Sequence, residues 1–307
     1  MPRERVTVIG SGRMAPGIAA ACLDAGAEVT VAARDTGKAE AATKLAGEYH
    51  RAAPDARIAS AAIEPHAFEA ADCVIETIAE DLDSKLELLG RIEPWLGPEA
   101  VLATNTSSFS ITALAESLRR PHQFAGFHFL NPAHVTAVVE VIAGERTEPD
   151  ALDELADLGR RMGKLPLIVR RDVPGFIWNR LQYAMLRECL HLLEEGVADI
   201  RSIDAAVSDG LAPRWLGAGP LATADLGGWP LSPRSPKSCS RSSPTPDRCR
   251  RRCGLGRTRA TASMRGTNAA RRPSRSFEPR VWPTLESRSP VAGRSCRPPT
   301  TRSTIDR

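Results

Sequence analysis

Short apolar runs alternate with longer helical stretches along most of the chain. Apolar or β-branched runs bounded by polar and turn-forming residues predict strands over 5–9, 28–32, 73–78, 101–104, 123–129 and 137–142. Stretches with helical spacing predict helices over 17–25, 39–49, 83–92 and 111–118, and a long helix opening at Asp172 and reaching Glu195. This alternation predicts an α/β fold in which helices cover both faces of a doubly wound parallel sheet.

Several classes of protein and site are disfavoured. No run approaches the roughly 18 apolar residues of a membrane-spanning helix, which argues against an integral membrane protein. The opening sequence leads straight into the first strand, so we expect no signal or transit segment. Cys22, Cys73 and Cys189 lie in apolar runs and are interpreted as buried thiols, which fits a cytoplasmic protein. The other cysteines lack a C-x-x-C pair, and we expect no metal site.

Charge divides the chain into two unlike parts. Residues 230–307 contain 18 Arg and 1 Lys against 4 acidic residues, a net charge of +15, whereas the first 229 residues have a net charge of −11. The same basic stretch holds 13 Ser and 11 Pro but only 7 Leu, Ile, Val or Phe, too few to offset the entropy of ordering. Residues 229–307, the basic segment, are therefore predicted to be a disordered Arg/Ser/Pro-rich tail.

Two further interpretations of the basic segment concern its role and its origin. Clustered arginines neutralise phosphates, but nucleic-acid binding is disfavoured because Phe277 and Trp282 are the only aromatic residues in 230–307 for base stacking. The composition resembles GC-rich DNA read out of frame, and the abrupt change after Gly228 favours a frameshift as its origin. Sequencing the gene across codons 220–240 tests that hypothesis.

The first predicted strand and helix are joined by the run Gly10-Ser11-Gly12-Arg13-Met14-Ala15. A strand, G-x-G-x-x-A, a helix and a second strand form the context of the dinucleotide-binding fingerprint. Gly10 permits the tight turn, Gly12 lets the backbone approach a pyrophosphate, and Ala15 keeps helix and strand close. The helix N-terminus adds free N–H donors. The run is therefore predicted to bind a dinucleotide; the alternative is a tight turn in an ordinary α/β domain.

The end of the second strand bears on the choice of cofactor. An NAD site usually places Asp or Glu here for the ribose 2′-hydroxyl, whereas an Arg favours the 2′-phosphate of NADP. Ala33 stands at the expected acidic position, Arg34 follows as a candidate cofactor contact, and Asp35 serves only if the loop shifts by two residues. These residues leave both NAD and NADP open.

His128 and Glu140 lie twelve residues apart in two apolar strands. An ionisable residue in such a strand is costly unless it is paired. If the strands are neighbours, Glu140 reaches the imidazole, fixes its tautomer and makes His128 a general base. The alternative is a buried structural His–Glu pair.

Two other polar groups have both a functional and a structural interpretation. The run 105–108 follows a strand, where open α/β sheets bind ligands, and its hydroxyls suit a substrate oxygen. Its structural alternative is to cap the helix over 111–118, which Ser110 also provides for. Asn179 faces either the cleft or solvent.

Six linked motifs resemble the 3-hydroxyacyl-CoA dehydrogenase family. They are GSGRMAPGIA (10–19), IETIAE (75–80), TNTSS (104–108), GFHFLNP (126–132), VEV (139–141) and DVPGFIWNR (172–180). A later segment, GPLATADLGG (219–228), is similar as well. Their order and spacing agree over about residues 5–228.

The resemblance implies an oxidoreductase that transfers hydride between C3 of an (S)-3-hydroxyacyl-CoA and NAD, in fatty-acid or butanoate metabolism. It implies that His128 takes the hydroxyl proton, that Glu140 orients His128, and that Ser107 and Asn179 contact the substrate. Four residues are implied to line the cofactor: Glu80, Lys85, Ser107 and Asn131. NAD is favoured over NADP on this ground, and a homodimer is implied.

Three segments follow from the resemblance: a Rossmann dinucleotide-binding domain over 1–171, the first helices of an all-α substrate and dimer domain over 172–228, and the basic segment, where we find no counterpart of the family's later helices. The arm after the second strand, which in the family helps to bind coenzyme A, is short here. Two alternatives therefore stay open, a free hydroxy acid as substrate and a chain impaired in activity, stability or dimerisation. The apolar face of 176–193 is expected to lack its usual cover.

Overall fold

A computed structural model describes residues 4–51 and 56–228 of the chain. Within these ranges the strands are β1 Arg5–Ile9, β2 Glu28–Ala33, β3 Ile58–Ala62, β4 Cys73–Glu76, β5 Val101–Thr104, β6 Phe124–Phe129, β7 Val138–Ile142 and β8 Leu165–Val169. The α-helices are α1 Ala15–Asp24, α2 Thr36–Tyr49, α3 Leu82–Ile92, α4 Ile111–Ala115, α5 Pro149–Arg161, α6 Trp178–Glu194, α7 Ile200–Ala205, α8 Ala212–Gly217 and α9 Pro220–Leu226, with a π-helical stretch at Ala206–Leu211. The basic segment and its predicted disorder lie outside the described residues.

The eight strands form one sheet in the order β3-β2-β1-β4-β5-β6-β7-β8. The chain order reverses between β1 and β4, so a crevice opens beyond their carboxyl ends, where such sheets bind ligands. The doubly wound fold is confirmed, and the first six strands are parallel. The prediction of parallel strands is wrong at β7, which runs antiparallel to β6 and carries β8 parallel to itself. The eight residues from 130 to 137 are too few for the crossover that a parallel pair needs.

Two apolar cores lie on the two faces of the sheet. One packs α1, α2 and α5 against one face and includes Ile18, Phe127 and Leu155. The other packs α3 and α4 against the opposite face and includes Leu89 and Phe124. Because both faces are covered, the central strands are apolar at nearly every position, and a buried polar residue within them must be paired.

The sequence pattern missed β3, β8 and α5 and placed several boundaries a few residues away from those in the structure. β3 consists mostly of alanine, which has a low strand propensity, and Pro166 interrupts the apolar run of β8, so neither edge strand has a clear strand pattern. The helix expected to open at Asp172 begins only at Trp178. Gly175 and Phe176, with φ of +78° and +48°, adopt left-handed backbone conformations that a helix excludes.

Helix α6 presents an apolar face that the described residues leave exposed. The exposed residues of this face are Tyr183, Leu186, Leu190 and Leu193, and Leu181 is exposed on the opposite side of the helix. Phe176, at the start of the predicted apolar face of 176–193, is instead 1% exposed and belongs to the core. Among the described residues, no helix combines the length and hydropathy that a membrane span requires.

Candidate active site

The loop after β1 leads directly into α1 and forms the floor of a cleft. The Gly10 N–H donates to the Ala32 carbonyl at 2.8 Å, which ties the loop to β2. Gly10 has φ of +128°, and a Cβ there would lie 2.6 Å from Thr77 Oγ1. At Gly12, by contrast, a Cβ would meet nothing within 4 Å, so the backbone faces open space. With the N-terminus of α1 beside it, this loop fits a phosphate-bearing ligand.

The cleft above this loop encloses about 410 Å³. Six predicted contacts line it: Gly10, Ser11, Gly12, Arg13, Met14 and Arg34. Ala15 is fully buried beneath them, where its small side chain lets α1 pack closely against the sheet. The lining residues that the sequence analysis did not assign to the cofactor are Ala33, Asp35, Lys38, Ile63, Thr77, Ile78 and Ala79. Thr77, Ile78 and Ala79 could have been found from the sequence, because they directly follow β4, which pairs with the first strand.

At the β2 side of the cleft, the ribose acceptor expected for NAD is missing from its usual position. Ala33 ends β2 and is only 4% exposed. Asp35 caps α2, where its Oδ1 accepts from the Lys38 backbone N–H at 3.1 Å. Arg34 is exposed between them and lines the cleft.

His128 and Glu140 face each other across the antiparallel pair of β6 and β7. The His128 Nδ1 lies 2.7 Å from Glu140 Oε2, which confirms the predicted contact. The imidazole is 5% exposed and the carboxylate is 0% exposed. Burial alone would raise the pKa of Glu140, but hydrogen bonds from His128 and the Trp178 and Ile177 N–H groups outweigh it and lower that pKa. Glu140 therefore stays ionised at neutral pH.

The turn before α6 completes the environment of this pair. The second carboxylate oxygen of Glu140 accepts from the backbone N–H groups of Ile177 and Trp178 at 2.8 and 2.9 Å. The Phe176 ring lies 5.7 Å from the imidazole, centroid to centroid. The left-handed turn at 175–176 thus delivers two donors and one apolar wall to the pair.

The loop after β5 is organised by Glu80, whose Oε1 accepts hydrogen bonds from side chains and backbone across 106–108. Asn179 reaches the same loop, where its Nδ2 donates to the Ser107 carbonyl at 3.1 Å. Asn179 therefore points toward this loop. The helix cap of α4 is Ser110, whose Oγ accepts from the Ala113 N–H, so the 105–108 run is not needed as a cap. Ser107, Glu80 and Asn179 are thus brought together.

Four of the predicted cofactor contacts, Glu80, Lys85, Ser107 and Asn131, lie outside the lining of the cleft above the β1 loop. The Lys85 ammonium is buried and lies 2.8 and 2.9 Å from the two oxygens of Glu76, with Glu80 Oε2 at 3.5 Å. Thr104 Oγ1 donates to the same Glu76 carboxylate at 2.6 Å. Lys85 thus anchors a buried polar network behind the 106–108 loop instead of lining the cleft. Asn131 is exposed in the turn after β6.

The cleft and the His128–Glu140 pair lie at the same end of the sheet, where the parallel strands have their carboxyl ends. Four strand intervals separate β2, which carries Arg34 at its end, from β6, which carries His128. At about 4.8 Å per interval this spans roughly 19 Å, which suits an elongated ligand. Among residues 4–51 and 56–228, no group of three His, Cys, Asp or Glu side chains is placed to hold a metal ion.

Two family models match the chain. The model of the 3-hydroxyacyl-CoA dehydrogenase NAD-binding domain matches residues 5–173, more than half of the chain. The chain belongs to this family. The model of the family's C-terminal domain matches residues 175–271, so its match runs beyond residue 228, where the sequence resemblance ended. The protein is therefore an oxidoreductase of a family whose cofactor is NAD, as the sequence resemblance predicted.

Individual relatives differ in the substrate that their names record. The chain is 34% identical to a 5-formyl-3-hydroxy-2-methylpyridine 4-carboxylate 5-dehydrogenase of Mesorhizobium japonicum, over 73% of this chain and 76% of the relative. It is 36% identical to a probable 3-hydroxybutyryl-CoA dehydrogenase of Bacillus subtilis, over 74% of this chain and 82% of the relative. The crystal structure of an (S)-3-hydroxybutyryl-CoA dehydrogenase from Ralstonia eutropha matches with a TM-score of 0.63 and 31% identity, over 73% of this chain and 82% of that one.

Besides the cleft residues named above, the sequence did not assign a role to Glu76 or to the turn at 175–178. Glu76 lay inside the IETIAE motif, and its charge within a buried strand was a signal for a partner. The donors from Ile177 and Trp178 are backbone groups, which residue type does not reveal.

Proposed function

We propose that this enzyme oxidises the C3 hydroxyl of an (S)-3-hydroxyacyl-CoA, with His128 as the general base. The observation that carries the proposal is the buried His128–Glu140 pair at 2.7 Å, at the carboxyl end of a strand along the cleft edge. The segment over 1–171 supplies the nucleotide site and this pair, and the segment over 172–228 supplies Asn179 and the donors that hold Glu140.

The role of each member of the pair follows from its environment. Glu140 is fully enclosed, and both its oxygens already accept hydrogen bonds, so it is not the group that meets the substrate. Because an ionised carboxylate only accepts, Nδ1 of His128 carries the proton and Nε2 presents a lone pair. That lone pair takes the hydroxyl proton, and Glu140 stabilises the imidazolium that forms.

The cofactor supplies the redox step: when bound, NAD accepts the hydride from C3 of the substrate. The protein orients and encloses the reactants. Ser107 and Asn179, joined through the Ser107 carbonyl, are positioned to hold the substrate oxygen. Glu80 fixes the loop that carries Ser107.

The test is acetoacetyl-CoA-dependent oxidation of NADH by the full chain and by His128→Gln. Loss of a general base lowers the rate by about 10²–10⁴-fold. His66→Gln serves as the matched control, because that side chain is 67% exposed and lies on a short helix after β3. An unchanged rate in His128→Gln would reject the proposed base.

A second candidate substrate is a free hydroxy acid, and one observation favours it. The described connection between β2 and β3 holds a single helix of 14 residues, α2, instead of the longer arm expected to bind coenzyme A. The pyridine carboxylate dehydrogenase of Mesorhizobium japonicum also has a name without a coenzyme A group. Comparing kcat/KM for acetoacetyl-CoA and acetoacetate separates the two: a preference for the free acid would refute the thioester substrate.

We further propose that the enzyme is a homodimer joined through α6. Tyr183 is 60% exposed, and Leu186, Leu190 and Leu193, which lie on the same side of the helix, extend the apolar surface. Covering such a surface is favourable by about 25 cal/mol per Å² of apolar area. Light scattering on the full chain tests this, with Tyr183→Glu expected to give monomers; a wild-type monomer would refute it.

A further inference from the structure

The side of the cleft next to β2 has an electrostatic character that an NAD site does not require. An NAD site holds the ribose 2′-hydroxyl with a carboxylate at the end of the second strand. Here Ala33 ends β2, and its methyl group offers no acceptor. Nothing at that position would repel a phosphate on the 2′-oxygen.

Cations stand around this position. Arg34 follows Ala33 directly, Lys38 lies in the first turns of α2, and both line the cleft. The charged residues of the described lining are Arg13, Arg34, Lys38 and Asp35, which gives a net charge of +2. A guanidinium beside a 2′-phosphate forms charge-assisted, often bidentate hydrogen bonds.

Asp35 is the one acidic group of this lining, and its carboxylate is already engaged. Its Oδ1 caps α2 by accepting from the Lys38 N–H, and its Oδ2 lies 3.9 Å from Lys38 Nζ. The capping bond directs the carboxylate to the helix and partly neutralises it against Lys38. Asp35 is therefore a poor substitute for the ribose acceptor that is absent at Ala33.

We infer that Arg34 and Lys38 form a 2′-phosphate subsite, so that this chain binds NADP(H) as well as NAD(H). The inference rests on the proposed nucleotide cleft but not on the identity of the substrate or of the catalytic base. It makes Arg34 the residue that sets the preference between the two cofactors.

Direct binding to the full chain tests the subsite without any turnover. NADH and NADPH are titrated by fluorescence, and 5′-AMP and 2′,5′-ADP by calorimetry. We expect NADPH to bind at least as tightly as NADH, and 2′,5′-ADP more tightly than 5′-AMP. If neither dinucleotide binds, the nucleotide cleft itself fails; if NADH binds and NADPH does not, only the subsite is overturned.

Substitutions then assign the phosphate contact. Arg34→Gln is expected to weaken NADPH and 2′,5′-ADP binding by about 10- to 100-fold, the range for one lost charge-assisted contact. NADH binding to Arg34→Gln should change by no more than about twofold. The control is Lys44→Gln, at an exposed lysine of α2 outside the cleft, and it should change the binding of every ligand by no more than about twofold. An equal loss of NADH and NADPH binding in Arg34→Gln would overturn the inference.

Asp35→Asn gives the opposite arm, because asparagine retains the helix cap and removes the charge. We expect it to tighten NADPH binding. If it instead weakens NADH binding and leaves NADPH binding unchanged, Asp35 is the ribose acceptor and the subsite assignment is wrong.

Discussion

The amide substitution Glu140→Gln separates orientation of His128 from simple support of the fold. In the wild-type chain, the Glu140 carboxylate accepts from His128 Nδ1 on one oxygen and from the Ile177 and Trp178 N–H groups on the other. A glutamine has one acceptor oxygen and one donor NH₂ group, so it satisfies only one of these two sides.

The energetics favour one orientation of that amide. Turning the oxygen to His128 would set the NH₂ group against two backbone donors and lose two hydrogen bonds, each worth about 0.5–1.5 kcal/mol. Turning the oxygen to Ile177 and Trp178 keeps both and presents NH₂ to Nδ1. The imidazole then accepts at Nδ1 and carries its proton on Nε2, so it no longer accepts the substrate proton.

The expected result is a folded enzyme with little activity. An amide that enforces the wrong histidine tautomer lowers kcat by about 10⁴-fold. The assay pairs kcat for NAD-dependent oxidation of (S)-3-hydroxybutyryl-CoA, the direction in which His128 must accept the proton, with thermal unfolding and NADH binding, and Glu145→Gln, exposed just beyond β7, is the control. A folded Glu140→Gln that binds NADH and keeps kcat within about threefold of the wild type would refute this reasoning, since it would show that the tautomer does not matter.

Three further predictions concern the cleft and the network behind it. Gly10→Ala should destabilise the fold by about 1–3 kcal/mol, because Gly10 has a φ of +128° and a Cβ there would lie 2.6 Å from Thr77. Gly12→Ala, with open space around it, should leave the unfolding temperature unchanged and weaken NADH binding. Equal unfolding temperatures for the two variants would contradict this geometry of the β1–α1 loop. Lys85→Met should lower the free energy of unfolding, measured with denaturant, by about 3–5 kcal/mol, because it leaves the buried Glu76 carboxylate without its cation. Adding Glu76→Gln should restore part of that loss. An unchanged stability in Lys85→Met would mean that the pair contributes little. Burial would raise the pKa of Glu80, but hydrogen bonds from Thr106, Ser108 and Ser107 lower it below 4.5, so the stability that its ionised form contributes is present above pH 4.5 and is lost as the pH falls through the lowered pKa. The difference in unfolding midpoint between wild type and Glu80→Gln should therefore shrink at acid pH, and a difference that grows would contradict the sign of the shift.

The sequence by itself determined most of the local elements and the nucleotide loop. The run from Gly10 to Ala15 is diagnostic because its steric demands are met within one strand–turn–helix unit. The central strands were predictable because a strand buried on both faces is apolar at most positions, as in β4 and β5, each of which has one polar residue at its end. The single charged residue within β7, Glu140, marked the site for the same reason.

Only the tertiary structure decided how these parts meet. The antiparallel turn of β7 set His128 opposite Glu140, and the left-handed residues Gly175 and Phe176 carried two backbone donors across 37 and 38 positions to the same carboxylate. Glu80 likewise organises a loop that begins 26 residues after it. Apolar periodicity reports which residues are buried within one element, but strand order and turn geometry determine which distant polar groups become neighbours.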